Sequence, residues 1–329
     1  MISNTFRSQA VICALAFTFG ASVAVAQDIN SGGNGLSNPG HSFEAGGPSI
    51  VPHGVNKVQE GQPTSGTTAA LSPIINHGGP VMTTPTPYLI WYGNWNQGNG
   101  SDTPAGQQIV RDFLFGDSNS PYFQINTTYG GPSGAINYAG VEGVNETTVA
   151  ASSTKLTDNG VANIVANAIT TGKLPKDPNG IYFVLTSSNI AKSGFCSQYC
   201  GWHTRGALSG TDIRYAFVGN ANRCLNACAA QTISPNGNAG VDGMVSVIAH
   251  ELEETTTDPD LNAWYDNSGA ENADKCAWTF GQNQSVLPSG AYYNMTLPTP
   301  GGATRNYLIQ RNLSAADNKC YLNLSTRAQ

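Results

Sequence analysis

The chain has 329 residues, of which 40% are hydrophobic and only 11% charged, and 15 Lys and Arg against 21 Asp and Glu give a formal charge of −6. An acidic balance leaves no basic face for a phosphate backbone, which excludes nucleic acid as a partner. Few charges and 38 Gly suit an exported protein that relies on hydrogen-bonded loops and disulfides more than on surface ion pairs.

At the N-terminus a single cation, Arg7, precedes an apolar run from Ala10 to Val23 and then Ala24-Val25-Ala26. This three-part pattern predicts a signal peptide over residues 1–26, whose removal takes Arg7 with it and moves the charge from −6 to −7. No later stretch approaches the roughly 20 apolar residues of a membrane span, so none is expected. The chain is therefore expected to be secreted and extracellular, with the cell wall or the periplasm as destinations. Residues 27–75 are rich in Gly, Ser and Pro without any sustained period, which predicts a flexible leader. A globular domain is expected over 76–329.

Tyr88-Leu89-Ile90-Trp91-Tyr92, bounded by Pro87 and Gly93, reads as a buried central strand. Thr103-Pro104 opens a helix with Ile109, Val110, Phe113 and Leu114 on one face. A second helix is predicted over about 158–171, capped by Asp158 or Asn159, with Val161, Ile164, Val165 and Ile169 inward and Gly172 at its end. Gly180 to Thr186 and Ile213 to Val218 read as further core strands, and short strand and turn signals follow Gly281. The alternation predicts an α/β (mixed α+β) fold in a single domain.

Cys13 leaves with the signal, so six cysteines remain: Cys196, Cys200, Cys224, Cys228, Cys276 and Cys320. In an oxidising compartment three disulfides are expected, the two close pairs tying neighbouring loops and the last pair stapling the C-terminal region. Six cysteines allow about 15 pairings, and spacing does not choose among them. A four-thiolate zinc site on the first four is the competing reading, which needs a reducing compartment.

From Val241, the residues Val241, Met244, Val245, Ile248 and Leu252 mark one face of a third helix, with Val247, His250, Glu251 and Glu254 around its other side. Pro259 stops it near Thr257, because a residue before proline is pushed out of helical geometry. His250 and Glu254 lie one turn apart on the same face and can hold one cation together, with Glu251 beside them. This is the HExxH layout of metallopeptidases with the second His changed to Glu, so Glu251 takes the place of the general base. Glu271 or Asp274 supplies the third ligand, with Asp258 as second choice.

Charge points the same way: Cys224 to Asp274 contains no Lys or Arg, yet Asp242, Glu251, Glu253, Glu254, Asp258, Asp260, Asp266, Glu271 and Asp274 fall within it. Several crowd the helix C-terminus, where the dipole disfavours anions by about 0.3–1 kcal/mol each. Plain solvation is the expectation for Glu253, Asp260 and Asp266. One divalent cation is expected, zinc first, with calcium or manganese competing because the extra carboxylate hardens the site.

The chain resembles the EXORDIUM or phosphate-induced protein 1 family. The anchors are His77-Gly78-Gly79-Pro80-Val81 leading into Leu89-Ile90-Trp91-Tyr92-Gly93, Ile181 to Ser187, Phe195-Cys196, Cys200-Gly201-Trp202-His203, Ala216 to Asn220, Gly240 to Leu252, and Asn262-Ala263-Trp264-Tyr265. The resemblance runs from His77 to the C-terminus. It implies an extracellular protein tied to growth promotion and cell-wall responses, and Glu254 looks like the family's own pattern. The long leader and Asp258, where plant members tend to carry Asn, depart from that pattern.

These observations frame the expected fold as one zincin-like domain with a mixed sheet, a metal-site helix and disulfide-tied loops. The first functional reading is a peptidase-like metallohydrolase in which Tyr265 donates to a developing oxyanion and His203, in the Cys-rich loop, lines the cleft. Its partner would be an extracellular peptide or a cell-wall component. The second is a non-catalytic binding or signalling module with a structural cation. A third gives Trp91, Tyr92, Trp95 and Trp202 to carbohydrate binding.

Overall fold

A computed structural model describes residues 72–118, 120–136 and 145–324. The signal and nearly all of the leader predicted from the sequence lie outside the described residues. Five strands form the central sheet: β1 (Thr86–Tyr92), β2 (Asn145–Val149), β3 (Gly180–Thr186), β4 (Gly201–Leu208) and β5 (Thr211–Gly219). Their order is β2-β1-β3-β5-β4, parallel throughout except that β4 runs antiparallel to β5 at one edge. The parallel core strands β1 and β3 are buried along nearly their whole length, which is why they appear in the sequence as continuous apolar runs.

Helix α1 (Pro104–Asp117) begins where the sequence placed it: Thr103 accepts from the Gly106 N–H at 3.0 Å and Pro104 fills the first turn. Helix α2 (Asp158–Thr170) is capped by Thr157 rather than by Asp158 or Asn159. Threonine supplies the side-chain oxygen at a residue still in extended geometry, which is what an N-cap requires.

Helix α3 (Ala239–Thr257) is the molecule's axis, with Asn238 as its cap. Every residue from Gly243 to Thr257 is buried. The helix therefore has no solvent-facing side, and the two-faced reading of its sequence was too shallow. Three β-branched residues end it, and the hydroxyls of Thr255, Thr256 and Thr257 donate to the carbonyls of Glu251, Leu252 and Glu253. This satisfies part of the buried C-terminal turn from within.

Strand β4 escaped the sequence reading, which left residues 201–208 in a Cys-rich loop. Its hairpin to β5 turns on Ser209-Gly210, both at positive φ (50° and 75°). Two left-handed residues in a two-residue loop match the twist of the paired strands. Gly201 lets β4 approach α3, because a Cβ there would lie 2.5 Å from Val247 Cγ1 and 2.9 Å from Glu251 Oε1.

Three disulfides form, Cys196–Cys224, Cys200–Cys228 and Cys276–Cys320, which removes the thiolate-zinc alternative. The first two bind the segment before β4 to the helical turn Leu225–Cys228, and the third holds the C-terminal hairpins to the chain beyond α3. Two-residue strands Ile75–Asn76 and Trp264–Tyr265 pair with each other. The aromatic residues offered for carbohydrate binding are core: Trp91, Tyr92, Trp95 and Trp202 are all buried. The sheet interior absorbs them, and that reading is withdrawn.

Candidate metal centre

Strand register carries a histidine to the helix. Leu89, Phe183, Ala216 and His203 lie side by side across β1, β3, β5 and β4, and alternation along β4 then turns His203 toward α3. Its neighbour Trp202 points to the opposite face, where Lys192 sits 5.2 Å over the indole and pairs with Asp158 at the start of α2. His203 thus stands on a rigid strand rather than in a loop. Its Nδ1 is 3.4 Å from Glu251 Oε2 and 3.6 Å from Glu254 Oε2, and its Nε2 is 3.7 Å from Glu271 Oε2.

One turn away, His250 Nε2 is 2.9 Å from Glu254 Oε1 and 3.5 Å from Asp274 Oδ1. The Asp274 N–H donates to Glu254 Oε1 at 3.0 Å, and the Glu271 N–H donates to Asp274 Oδ2 at 3.2 Å, which folds the downstream acidic segment back against the helix. Two sets of three side chains bring ligand atoms within 4.8 Å of one another: His203, Glu251 and Glu254, and His250, Glu254 and Asp274. They share Glu254, the residue that stands where the second histidine of HExxH would be.

Five carboxyl groups, Glu251, Glu254, Glu271, Asp274 and Asp258, thus surround two imidazoles, and no Lys or Arg is among the main influences on any of them. Burial lowers the pKa of His203, but Glu251 and Glu254 outweigh it and push the imidazole up to about 9. Burial likewise works against a charged His250, and Glu254 and Asp274 more than reverse it. For Glu251 burial wins and raises the carboxyl to about 7 despite His203. Burial works against a charged Glu254, but the positive charge of His250 and the close approach of both imidazoles outweigh it and pull the carboxyl down to about 2. Burial followed by repulsion from Glu254 and Asp258 drives Glu271 well up, and burial followed by Glu254 raises Asp274.

Hydrogen bonding leaves the cluster incomplete. His203 Nε2, both ring nitrogens of His250, Glu251 Oε1, Glu254 Oε2 and both oxygens of Glu271 are buried without a hydrogen-bond partner. An orphaned buried polar atom is uncommon, and so many in one place mark a group that the protein alone does not satisfy. A divalent cation fits: it accepts imidazole and carboxylate donors and offsets the surplus negative charge. One detail departs from the usual ligating histidine, whose outer nitrogen is held by an acceptor: His250 Nδ1 has none.

The remaining predicted residues fall around this centre. Asp258 Oδ1 accepts the N–H groups of Asn262 and Ala263 at 2.6 and 2.7 Å, so it caps the exit from α3 and belongs to neither ligand set. The Tyr265 ring stacks on His77 at 3.6 Å and makes no hydrogen bond to the cluster. The three acids expected to be solvated are not. Glu253 is fully buried and accepts from Asn312 at 2.9 Å, Asp266 pairs with Lys275 at 2.5 Å, and Asp260 with Arg214 at 2.8 Å. Asn312 and Arg214 lie 59 and 46 residues from their acids, and Lys275 falls one residue past the cation-free stretch, so charge counting within that stretch saw none of the three.

The conserved region of phosphate-induced protein 1 matches residues 74–322. The chain is 32% identical to "Protein EXORDIUM-like 3" of Arabidopsis thaliana over 275 residues, 71% of this chain and 78% of that protein. It is 30% identical to "Protein EXORDIUM-like 5" of the same plant over 70% of both chains. Against "Protein PHOSPHATE-INDUCED 1" of Nicotiana tabacum the identity is 36%, over 26% of this chain and 34% of that one. No solved structure matches. With its conserved region spanning the sheet, the disulfides and the whole acidic cluster, this chain belongs to the phosphate-induced protein 1 family.

Proposed function

We propose that the protein is an exported, zincin-like metallohydrolase of the peptidase type, with His250, Glu254 and Asp274 holding one divalent cation. The observation that carries this reading is the convergence of those three ligand atoms beside Glu251, with the Asp274 side chain 21% exposed while the others are enclosed. Three protein ligands leave a coordination position open, and Asp274 gives it a path to solvent. Imidazole among the ligands favours zinc, with manganese next and calcium last. The bound cation would supply an acidified water. Glu251, oriented by His203, would take the proton from it and later return it to the leaving group. Export is supported by the signal-like N-terminus, by the three disulfides, and by the absence of a helix long and apolar enough to cross a membrane among the described residues.

A second reading, a non-catalytic extracellular module with a closed structural cation, is favoured by one observation. His203, His250, Glu251 and Glu254 have no exposed surface, and the cavities of about 510 and 600 Å³ lie elsewhere. Elemental mass spectrometry on protein purified without chelator, beside a His250→Ala/Glu254→Ala variant, tests the cation common to both. About one metal per chain, lost in the variant, is expected, and metal-free protein in both would end both readings. Peptide turnover that falls by about 10²–10⁴ in Glu251→Gln with the metal retained is the hydrolase outcome. A metal-loaded protein that cleaves none of a broad peptide library gives the site to the structural reading.

A further inference from the structure

In an acidic protein the fate of each cation is informative. Lys155, Lys173, Lys176, Arg223 and Lys319 are exposed, and of the other described cations Arg111, Lys192, Arg205, Arg214, Lys275 and Arg305 each pair with a carboxylate, Glu146, Asp158, Asp212, Asp260, Asp266 and Asp112 respectively. Arg311 does not. Its Nε donates to Thr279 Oγ1 at 3.1 Å, which fixes the side chain, while its terminal nitrogens have no partner among the described residues. Burial lowers its pKa, with no carboxylate acting in the other direction. Arg311 lines a cavity of about 510 Å³ whose wall includes Cys320 of the Cys276–Cys320 disulfide, within the range of about 300–1,000 Å³ typical of ligand pockets.

The rest of the wall is mixed. Leu297 and Leu322 give an apolar side, the Tyr321 ring gives an aromatic face, and Gln282 and Asn283 offer exposed amides that make no hydrogen bond among the described residues. We propose that this cavity binds a small hydroxylated organic carboxylate, whose carboxylate takes the fork of Arg311 in two parallel hydrogen bonds. The planar guanidinium matches that geometry, the amides suit hydroxyls, and Tyr321 suits the C–H face of a ring. The volume exceeds what a bare inorganic ion fills, which is why an organic body is assigned. Arg311 and the two amides lie outside both ligand sets of the α3 cluster, so the assignment does not rest on the metal.

The test is calorimetric titration of the full disulfide-bonded protein with D-glucuronate, D-glucose and inorganic phosphate, on wild type, Arg311→Gln and Arg311→Lys. Glucuronate should bind, glucose at least about tenfold more weakly, and Arg311→Gln should lose about tenfold or more, with Arg311→Lys in between. Phosphate binding as tightly as glucuronate would overturn the organic-carboxylate assignment. Equal binding of glucose would overturn the role of Arg311, and no binding of any probe at millimolar concentration would overturn the site. If Arg311→Gln fails to fold, hydrogen exchange on wild type decides: glucuronate should slow exchange at residues 281–283 and 320–323, and unchanged exchange there refutes the proposal.

Discussion

Asp102 and Glu251 are both carboxylates without exposed surface, and their surroundings are opposite in kind. Asp102 Oδ1 accepts from the Ser188 N–H at 2.7 Å and Asn220 Nδ2 at 2.8 Å. Its Oδ2 accepts from Ser188 Oγ at 2.5 Å, Asn99 Nδ2 at 2.9 Å and Gln97 Nε2 at 3.0 Å. Loops from three parts of the chain thereby meet at the start of α1, and the charge is solvated by the protein itself. Glu251 has one such contact, from His203, and shares its enclosure with Glu254 and Glu271. A buried charge ringed by donors locks a fold together, whereas one ringed by other acceptors waits for a partner from outside the chain.

The comparison predicts opposite signs. Asp102→Ala should lower unfolding stability by about 3–5 kcal/mol, since it strands several buried donors at once, and should leave metal content unchanged. Chemical denaturation with elemental analysis checks both. A loss below about 1 kcal/mol would mean that the loops hold without their carboxylate. Next in size is the cation itself: zinc at a hundredfold excess over its dissociation constant should stabilise wild type by about 3 kcal/mol, and Glu254→Gln not at all. In metal-free protein the same Glu254→Gln loses the attraction of His250 and His203 but relieves repulsion on Glu271 and Asp274, so it should cost less than Asp102→Ala. A Glu254→Gln protein that is unstable without metal and still gains from zinc would place Glu254 in the same class as Asp102.

Much of this could be read from the sequence where one element suffices. The apolar runs of β1, β3 and β5, the Thr-Pro start of α1 and the one-turn spacing of His250 and Glu254 are local signals, and each held. Asp274 and Glu271, 20 and 17 residues beyond Glu254, were also within reach, because a short return segment after a helix folds back on it. His203 reaches Glu251 across 48 residues through sheet register, and Gly-Trp-His-Thr-Arg-Gly lacks the β-branched alternation that would have announced a strand. The Ser209-Gly210 dipeptide was the usable hint of its hairpin. Polar β2, Asn-Glu-Thr-Thr-Val, was missed because an exposed edge strand needs no apolar face. Disulfide pairing depended on where the turn Leu225–Cys228 comes to rest, a tertiary fact with no trace in spacing.

Asp117 stands between the two extremes and gives the smallest and most pH-sensitive expectation. Its Oδ1 accepts from Ser120 Oγ at 2.6 Å, and its Oδ2 is buried without a partner. Burial raises the carboxyl from 3.8 to about 7, against the lowering effect of Ser120. The folded protein therefore holds this proton more tightly than the unfolded chain, so stability falls as pH rises from 3.8 and the full penalty is present above pH 7. Asp117→Asn keeps an acceptor for Ser120 and cannot ionise. It should equal wild type in stability below pH 3.8 and exceed it by about 1–3 kcal/mol above pH 7, measured by urea unfolding across that range. Parallel stability curves for the two proteins would mean that Oδ2 is already satisfied by a buried water, which would move Asp117 into the class of Asp102.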